Sequence, residues 1–149
     1  MTTTFYQNTN VLRYRLACET VSAAVRAGYK IVIVDGSPYP SIRSTFGSLG
    51  AIVYPEITKG MGATRRLVCH LAEEEIAPDL ETFFVWLEPE KTDIVPWIEK
   101  MIEAMNHSPK CIIVPRRTDR SWSSYPNFQV QSEKEANQIF KEEICCDLD

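Results

Sequence analysis

The chain has 149 residues, the length of one ordinary domain, and its 44% hydrophobic, 24% charged and 10% aromatic content excludes disordered and fibrous proteins and calls for a packed core. Against 20 aspartates and glutamates stand 16 lysines and arginines, so the net charge of -4 sets up no general field for polyanions, and neither nucleic acid nor an anionic membrane is an expected partner. The longest apolar runs are strand-length, so no transmembrane segment is expected, and an N-terminus without a basic start and apolar middle points to the cytoplasm.

Thr2 to Tyr6 is short and β-prone. Asn8-Thr9-Asn10 is a capping cluster ahead of a helix with Leu12, Leu16, Val21, Ala24 and Val25 at helical spacing, and Gly28 stops that helix. Lys30 to Val34 is a β-branched run ending in Asp35-Gly36-Ser37-Pro38, and such a continuous apolar strand suits a sheet covered on both faces. A short helix around Ser41 to Leu49 and a strand from Ala51 to Tyr54 follow. Lys59-Gly60-Met61-Gly62 then leads into a helix carrying Leu67, Val68, Leu71 and Ala72.

Thr82 to Leu87 reads as the next strand and Cys111 to Val114 as a further one. Between them, Asp93 to Met105 reads as a helix with Trp97, Ile98, Met101, Ile102 and Met105 inward and Pro96 in its first turn. The stretch Arg116 to Gln131, rich in Ser, Arg, Tyr and Pro, reads as an irregular excursion. Ser132-x-x-Glu135 is a capping box opening a last helix with Ala136, Ile139, Phe140 and Ile144. The alternation predicts an α/β fold in one domain over residues 1–149: a mainly parallel sheet with helices on both faces. Its core spans about residues 3–114, and residues 115–149 supply the excursion and a C-terminal helix.

In open parallel sheets ligands bind outside the carboxyl ends of the strands, and that rule selects three loops. Asp35, Gly36 and Ser37 place a carboxylate at the end of a buried strand, where it can accept from a ribose hydroxyl or a base N–H, or simply make a turn. Lys59, Gly60, Gly62 and Arg65 combine glycines, a helix start and cations, a combination that suits a phosphate; basic residues in a helix's first turns also serve as a solvated face. Glu88 and Glu90, two residues apart after the apolar strand, would point to one side of an extended segment and share a hard cation such as magnesium or manganese, or else form an acidic turn with Asp93 capping the next helix.

His70 and His107 have no partner at ligand spacing. Cys18, Cys69 and Cys111 lie in apolar periodic segments and Cys145-Cys146 are adjacent, so reduced and mostly buried thiols are expected rather than a metal or redox pair. Trp86 and Trp97 fall on apolar periodic faces and read as core, whereas Trp122 stands among cations in the excursion and could line a cleft.

The order of the three loops resembles the family 2 glycosyltransferases of the GT-A fold. In that family a strand ends in Asp-Gly-Ser, a Lys-Gly-rich loop with an arginine opens a helix, and a later strand ends in an acidic Asp-x-Asp motif. The matching positions here are Val34-Asp35-Gly36-Ser37, Lys59-Gly60-Met61-Gly62-Ala63-Thr64-Arg65 and Leu87-Glu88-Pro89-Glu90, and the likeness covers roughly Thr3 to Val114. The resemblance implies a three-layer nucleotide-diphospho-sugar transferase sandwich, a nucleotide-sugar donor and a divalent metal. It implies Asp35 near the base, Lys59 and Arg65 near base or diphosphate, and Glu88 and Glu90 in the acidic motif's role, with Glu90 on the metal. Glu-Pro-Glu stands where the family has Asp-x-Asp, and the chain ends before a full acceptor-binding half. The acceptor and the catalytic base are therefore unassigned, and a non-catalytic nucleotide-binding or regulatory domain is the alternative.

Overall fold

Val32, Ile33, Val34 and Asp35 are all buried, and the rest of the first part of the chain is organised around them. The computed structural model describes residues 1–76, 82–106, 119–123 and 125–144. Three strands, β1 (Thr2–Thr4), β2 (Val32–Asp35) and β3 (Ile52–Pro55), form a parallel sheet in the order β1-β2-β3. Thr3 lies opposite Val34 in one pair, and Ile33 lies opposite Val53 in the other. Parallel pairing requires crossovers, and two helices supply them: α1 (Leu12–Arg26) joins β1 to β2, and α2 (Pro40–Ser48) joins β2 to β3.

Alternation along β2 sends its side chains to opposite faces, and each face meets a helix. Ile33 packs with Tyr14, Ala17 and Val21 of α1 and with Ile42 and Phe46 of α2. Val32 and Val34 pack on the other side with Val68 and Ala72 of α3 (Met61–Ile76). A mainly parallel sheet covered on both faces is thus the architecture of this part, as the uninterrupted apolar run of β2 requires. Burial of each large side chain here contributes about 1.5–3 kcal/mol before the ordering entropy is set against it.

Contacts divide the chain into two compact units, Met1–Cys111 and Ile112–Asp149. The first closes with a 3-10 segment (Thr92–Trp97) running into α4 (Ile98–Asn106), whose Ile98 packs with Ala24 and Val95. The second contains α5 (Asp119–Trp122) and α6 (Asn127–Ile144). In it the Trp122 and Tyr125 rings meet edge to face at 6.1 Å, with the Lys134 ammonium 5.7 Å from the Trp122 ring. No helix of the described residues is long and apolar enough to cross a membrane.

Several expectations need correction. Asn8-Thr9-Asn10 does not cap α1: Val11 holds the cap position without a side-chain bond, and the Asn8 side chain accepts from the Asn10 N–H at 2.9 Å in a local turn. The buried stripe of α1 is Tyr14, Ala17, Thr20, Val21 and Ala24, which leaves Leu12 exposed and Leu16 half-buried. Cys69 is exposed on α3 rather than buried, and Cys18 is half-buried. The helix expected from Asp93 opens as the 3-10 segment, because Pro96 has no N–H for an i→i−4 bond and its ring crowds an α-helical turn; Trp97 then faces outward, 56% exposed, under the Lys100 ammonium at 4.6 Å.

In the second unit the last helix starts at Asn127, five residues before the expected capping box. The Pro126 carbonyl accepts from the Gln129 and Val130 N–H groups, and Ser132 sits inside the helix donating to the Gln129 carbonyl. The excursion is helical at α5 and again from Asn127. The strand expected at Cys111 to Val114, His107 and Cys145-Cys146 lie outside the described residues.

Thr82 to Leu87, expected as a strand, joins no ladder. It is tied to β1 at one point: the Met1 nitrogen donates to the Val85 carbonyl at 2.9 Å, and the Leu87 N–H donates to the Met1 carbonyl at 3.2 Å. That is the two-bond pattern of a single parallel bridge centred on Trp86. Side-chain alternation is strand-like, with Val85 and Leu87 packed inward and Phe84 and Trp86 exposed. The pairing goes no further, because the segment's next donated bond would run from the Pro89 nitrogen to the Thr3 carbonyl and proline has no N–H to donate.

Candidate functional site

In a parallel sheet the peptide groups of successive residues point alternately to the two neighbours. Thr4 gives its carbonyl to the Gly36 N–H on the β2 side, so Met1, three residues earlier, reaches the Trp86 segment on the other. The strand order therefore runs outward from β1 through β2 to β3, and the chain then returns to the opposite side of β1. Such a reversal opens a crevice, the place where parallel sheets hold ligands.

A cavity of about 200 Å³ lies at this reversal, walled by β1 with Phe5 and Tyr6, by Trp86, Glu88, Pro89 and Glu90, and by Arg13 and Arg65 from the helices. The Arg65 guanidinium lies 5.5 Å from the Trp86 ring centroid, a cation-π arrangement on a partly exposed ring. Arg13 Nη2 is 2.7 Å from Glu90 Oε1, and the Tyr6 hydroxyl donates to the same oxygen at 3.1 Å. Glu88 pairs with Lys91 at 3.5 Å. The wall thus presents two cations, two carboxylates and aromatic side chains, Trp86 among them.

Burial, and next the Glu90 carboxylate it touches, push the Tyr6 phenol well above its ordinary range, so Tyr6 is a neutral donor to Glu90 throughout physiological pH. The Arg13 side chain is 72% exposed while that of Glu90 is 16% exposed. An ion pair with one arm in water is worth at most about 1 kcal/mol, so Arg13 can exchange Glu90 for another anion at small cost.

Of the residues the three motifs select, Arg65, Glu88 and Glu90 meet in this cavity. Asp35 and Ser37 stand behind its wall. The Asp35 carboxylate is fully buried: Oδ1 accepts from the Thr4 hydroxyl at 2.7 Å and the Ser37 hydroxyl at 2.6 Å, and Oδ2 is 3.4 Å from Arg43. The Ser37 oxygen in turn accepts from the Tyr6 N–H at 2.9 Å. Asp35 therefore fixes the backbone that presents Tyr6 to Glu90.

Gly36 allows the same close packing. A Cβ there would lie 2.5 Å from Glu56 Oε2, and Glu56 is itself held by the Thr64 hydroxyl. Lys59, Gly60 and Gly62 do not line the cavity; they form the entry to α3, where Gly60, at φ +115°, accepts the Thr64 N–H at 3.0 Å.

Three site residues escape a motif-based reading. Arg13 and Tyr6 belong to no recognised pattern, and only the rule that chemistry gathers beyond the strand ends, applied to the β1–α1 junction, would have found them. Trp86 reads as core because it alternates within an apolar run, yet that alternation puts it opposite Val85 and Leu87 and beside Arg65. His70 pairs on the surface with Glu74 at 3.2 Å.

Among the described residues no three His, Cys, Asp or Glu side chains gather as a metal centre. Glu88 and Glu90 are each paired with a cation, so the protein groups alone do not make a complete coordination set; a hard cation would need further oxygens from a bound ligand. A larger cavity of about 250 Å³, walled by Val21, Ala24, Val32, Ala72, Phe83 and Ile98 among others, has Lys30 as the one charged side chain among its described lining residues. It has apolar surface but little to orient a charged ligand, and the smaller polar cavity is the candidate site. Comparison of the chain with protein-family models, with curated proteins and with solved structures finds no match.

Proposed function

We propose that the chain binds a nucleoside-diphosphate sugar in the cavity between β1 and Trp86 to Glu90, as a compact GT-A-like glycosyltransferase acting on an acceptor yet to be identified. The observation that carries this reading is Arg65 lying on Trp86 beside Glu88 and Glu90 at the reversal of strand order. In it, Trp86 provides a face for a base or sugar ring, and Arg65 pairs with the diphosphate. Glu90, with Glu88, would hold magnesium or manganese together with diphosphate oxygens, and such an ion neutralises charge developing on the leaving diphosphate. Arg65 contributes to the same neutralisation from the protein side.

A second reading, binding without transfer, is favoured by the engagement of Glu90 with Arg13 and Tyr6. Calorimetric titration with UDP- and GDP-sugars in the presence of manganese tests both. The proposal expects saturable heat with at least one donor, weakened about tenfold or more by Arg65→Ala through loss of a charge-assisted contact. Saturable heat without donor hydrolysis or transfer across varied acceptors would support the second reading. No heat with any donor would remove the nucleotide site altogether.

A further inference from the structure

Resting on that reading of the cavity, we propose that Arg13 is a phosphate-binding residue held in reserve: Glu90 keeps it at the cavity, and an entering diphosphate takes it over. Three features of the structure support this exchange. Arg13 lines the cavity from α1, and its guanidinium reaches Glu90 Oε1 at 2.7 Å while most of the side chain stays in water. Glu90 has a second donor to the same oxygen, the buried Tyr6 hydroxyl at 3.1 Å, so the carboxylate remains hydrogen-bonded when Arg13 leaves. The other cation of the wall, Arg65, is already placed against Trp86, and a diphosphate needs more than one cationic partner.

A guanidinium binds carboxylate and phosphate with the same planar fork, so moving from Glu90 to a phosphate exchanges one charge-assisted pair for another without leaving an unpaired cation. Glu90 is then a competitor for Arg13, and its negative charge acts on the ligand in two ways. It repels the diphosphate directly, and it occupies the arginine the diphosphate needs. Only the second depends on Arg13, and that dependence makes the exchange measurable.

The probe is UDP in the presence of EDTA, which removes any contribution from metal, titrated calorimetrically into the full chain and four variants. The expected result is that Arg13→Ala weakens UDP about tenfold and Glu90→Gln tightens it several-fold, while in the Arg13→Ala background Glu90→Gln tightens it much less, because direct repulsion is relieved but no arginine remains to be released. Arg13→Lys should recover part of the loss, because charge is restored without the fork. If Glu90→Gln tightens binding equally with and without Arg13, the effect is plain repulsion and the exchange is overturned. Wild-type binding with Arg13→Ala unchanged overturns it too and leaves the cavity reading intact; failure of the wild type to bind UDP overturns both. Circular dichroism and melting of each variant separate these outcomes from loss of fold.

Discussion

Replacing Phe46 by alanine is expected to lower the unfolding free energy by about 3–5 kcal/mol, the cost of truncating a buried aromatic side chain in a core that relaxes only in part. Phe46 is fully buried on α2 and stands in a three-ring cluster, 5.7 Å from Tyr14 and 6.3 Å from Tyr6, with Tyr6 and Tyr14 themselves 5.6 Å apart. Removing it forfeits both the apolar burial against Ile33 and Ile42 and the ring contacts with two tyrosines, edge-on with Tyr14 and tilted with Tyr6. Urea unfolding followed by circular dichroism measures the loss, and a shift below about 1.5 kcal/mol, the range of volume-conserving swaps, would mean that the cluster is not packed as described. Because Tyr6 also donates to Glu90, the variant should disturb the polar cavity as well, so its effect on UDP binding should accompany the loss of stability.

Asp35→Ala should be nearly as damaging, at about 2–4 kcal/mol, because it strands two buried hydroxyls and leaves Arg43 without its carboxylate. Thr4 and Ser37 both donate to Asp35 Oδ1, and the Arg43 side chain is 27% exposed, so water recovers part of the ionic loss and the range sits below that of a fully buried pair. Asp35→Asn keeps an acceptor for the two hydroxyls and should cost less than the alanine variant. Thermal melting without nucleotide is the relevant measurement. A carboxylate whose chief task is to hold a base would leave the melting temperature untouched and weaken UDP alone; a carboxylate that staples β1 to β2 lowers the melting temperature with no ligand present.

The parts of the fold that were legible in the sequence are those where one periodicity dominates. The run Val32 to Val34 has no polar interruption and reads as a strand buried on both faces, and the helical spacing of Val68 and Ala72 likewise finds α3. Legibility fails where two patterns compete. Leu12 and Leu16 sit at helical spacing with Val21 and Ala24, but Tyr14 and Ala17 share a neighbouring stripe with the same two residues, and tertiary packing buries that stripe. The segment at Trp86 has strand alternation but pairs only through Met1, because Pro89 cannot donate the next ladder bond.

The same distinction holds at the candidate site. Arg65, Glu88 and Glu90 could be picked out because charges after a glycine loop or an apolar run stand apart from their surroundings. Arg13 could not, since an arginine in the first turns of an amphipathic helix looks like any solvated residue until the chain's return past β1 sets Glu90 against it. The Asp35-Gly36-Ser37 motif was legible as a motif but not in its task. Whether such a carboxylate faces a ligand or its neighbours depends on Thr4 and Arg43, one from an earlier strand and one from a later helix.

Whether a diphosphate occupies the cavity and takes Arg13 from Glu90 would be seen in a crystal of the full chain soaked with UDP and manganese. Diphosphate density is expected between Arg65 and Arg13 with the uracil or ribose against Trp86, and with Glu90 turned from Arg13. Density at another surface, or an unchanged Arg13–Glu90 pair in a cavity that stays free of nucleotide at saturating concentration, would contradict it.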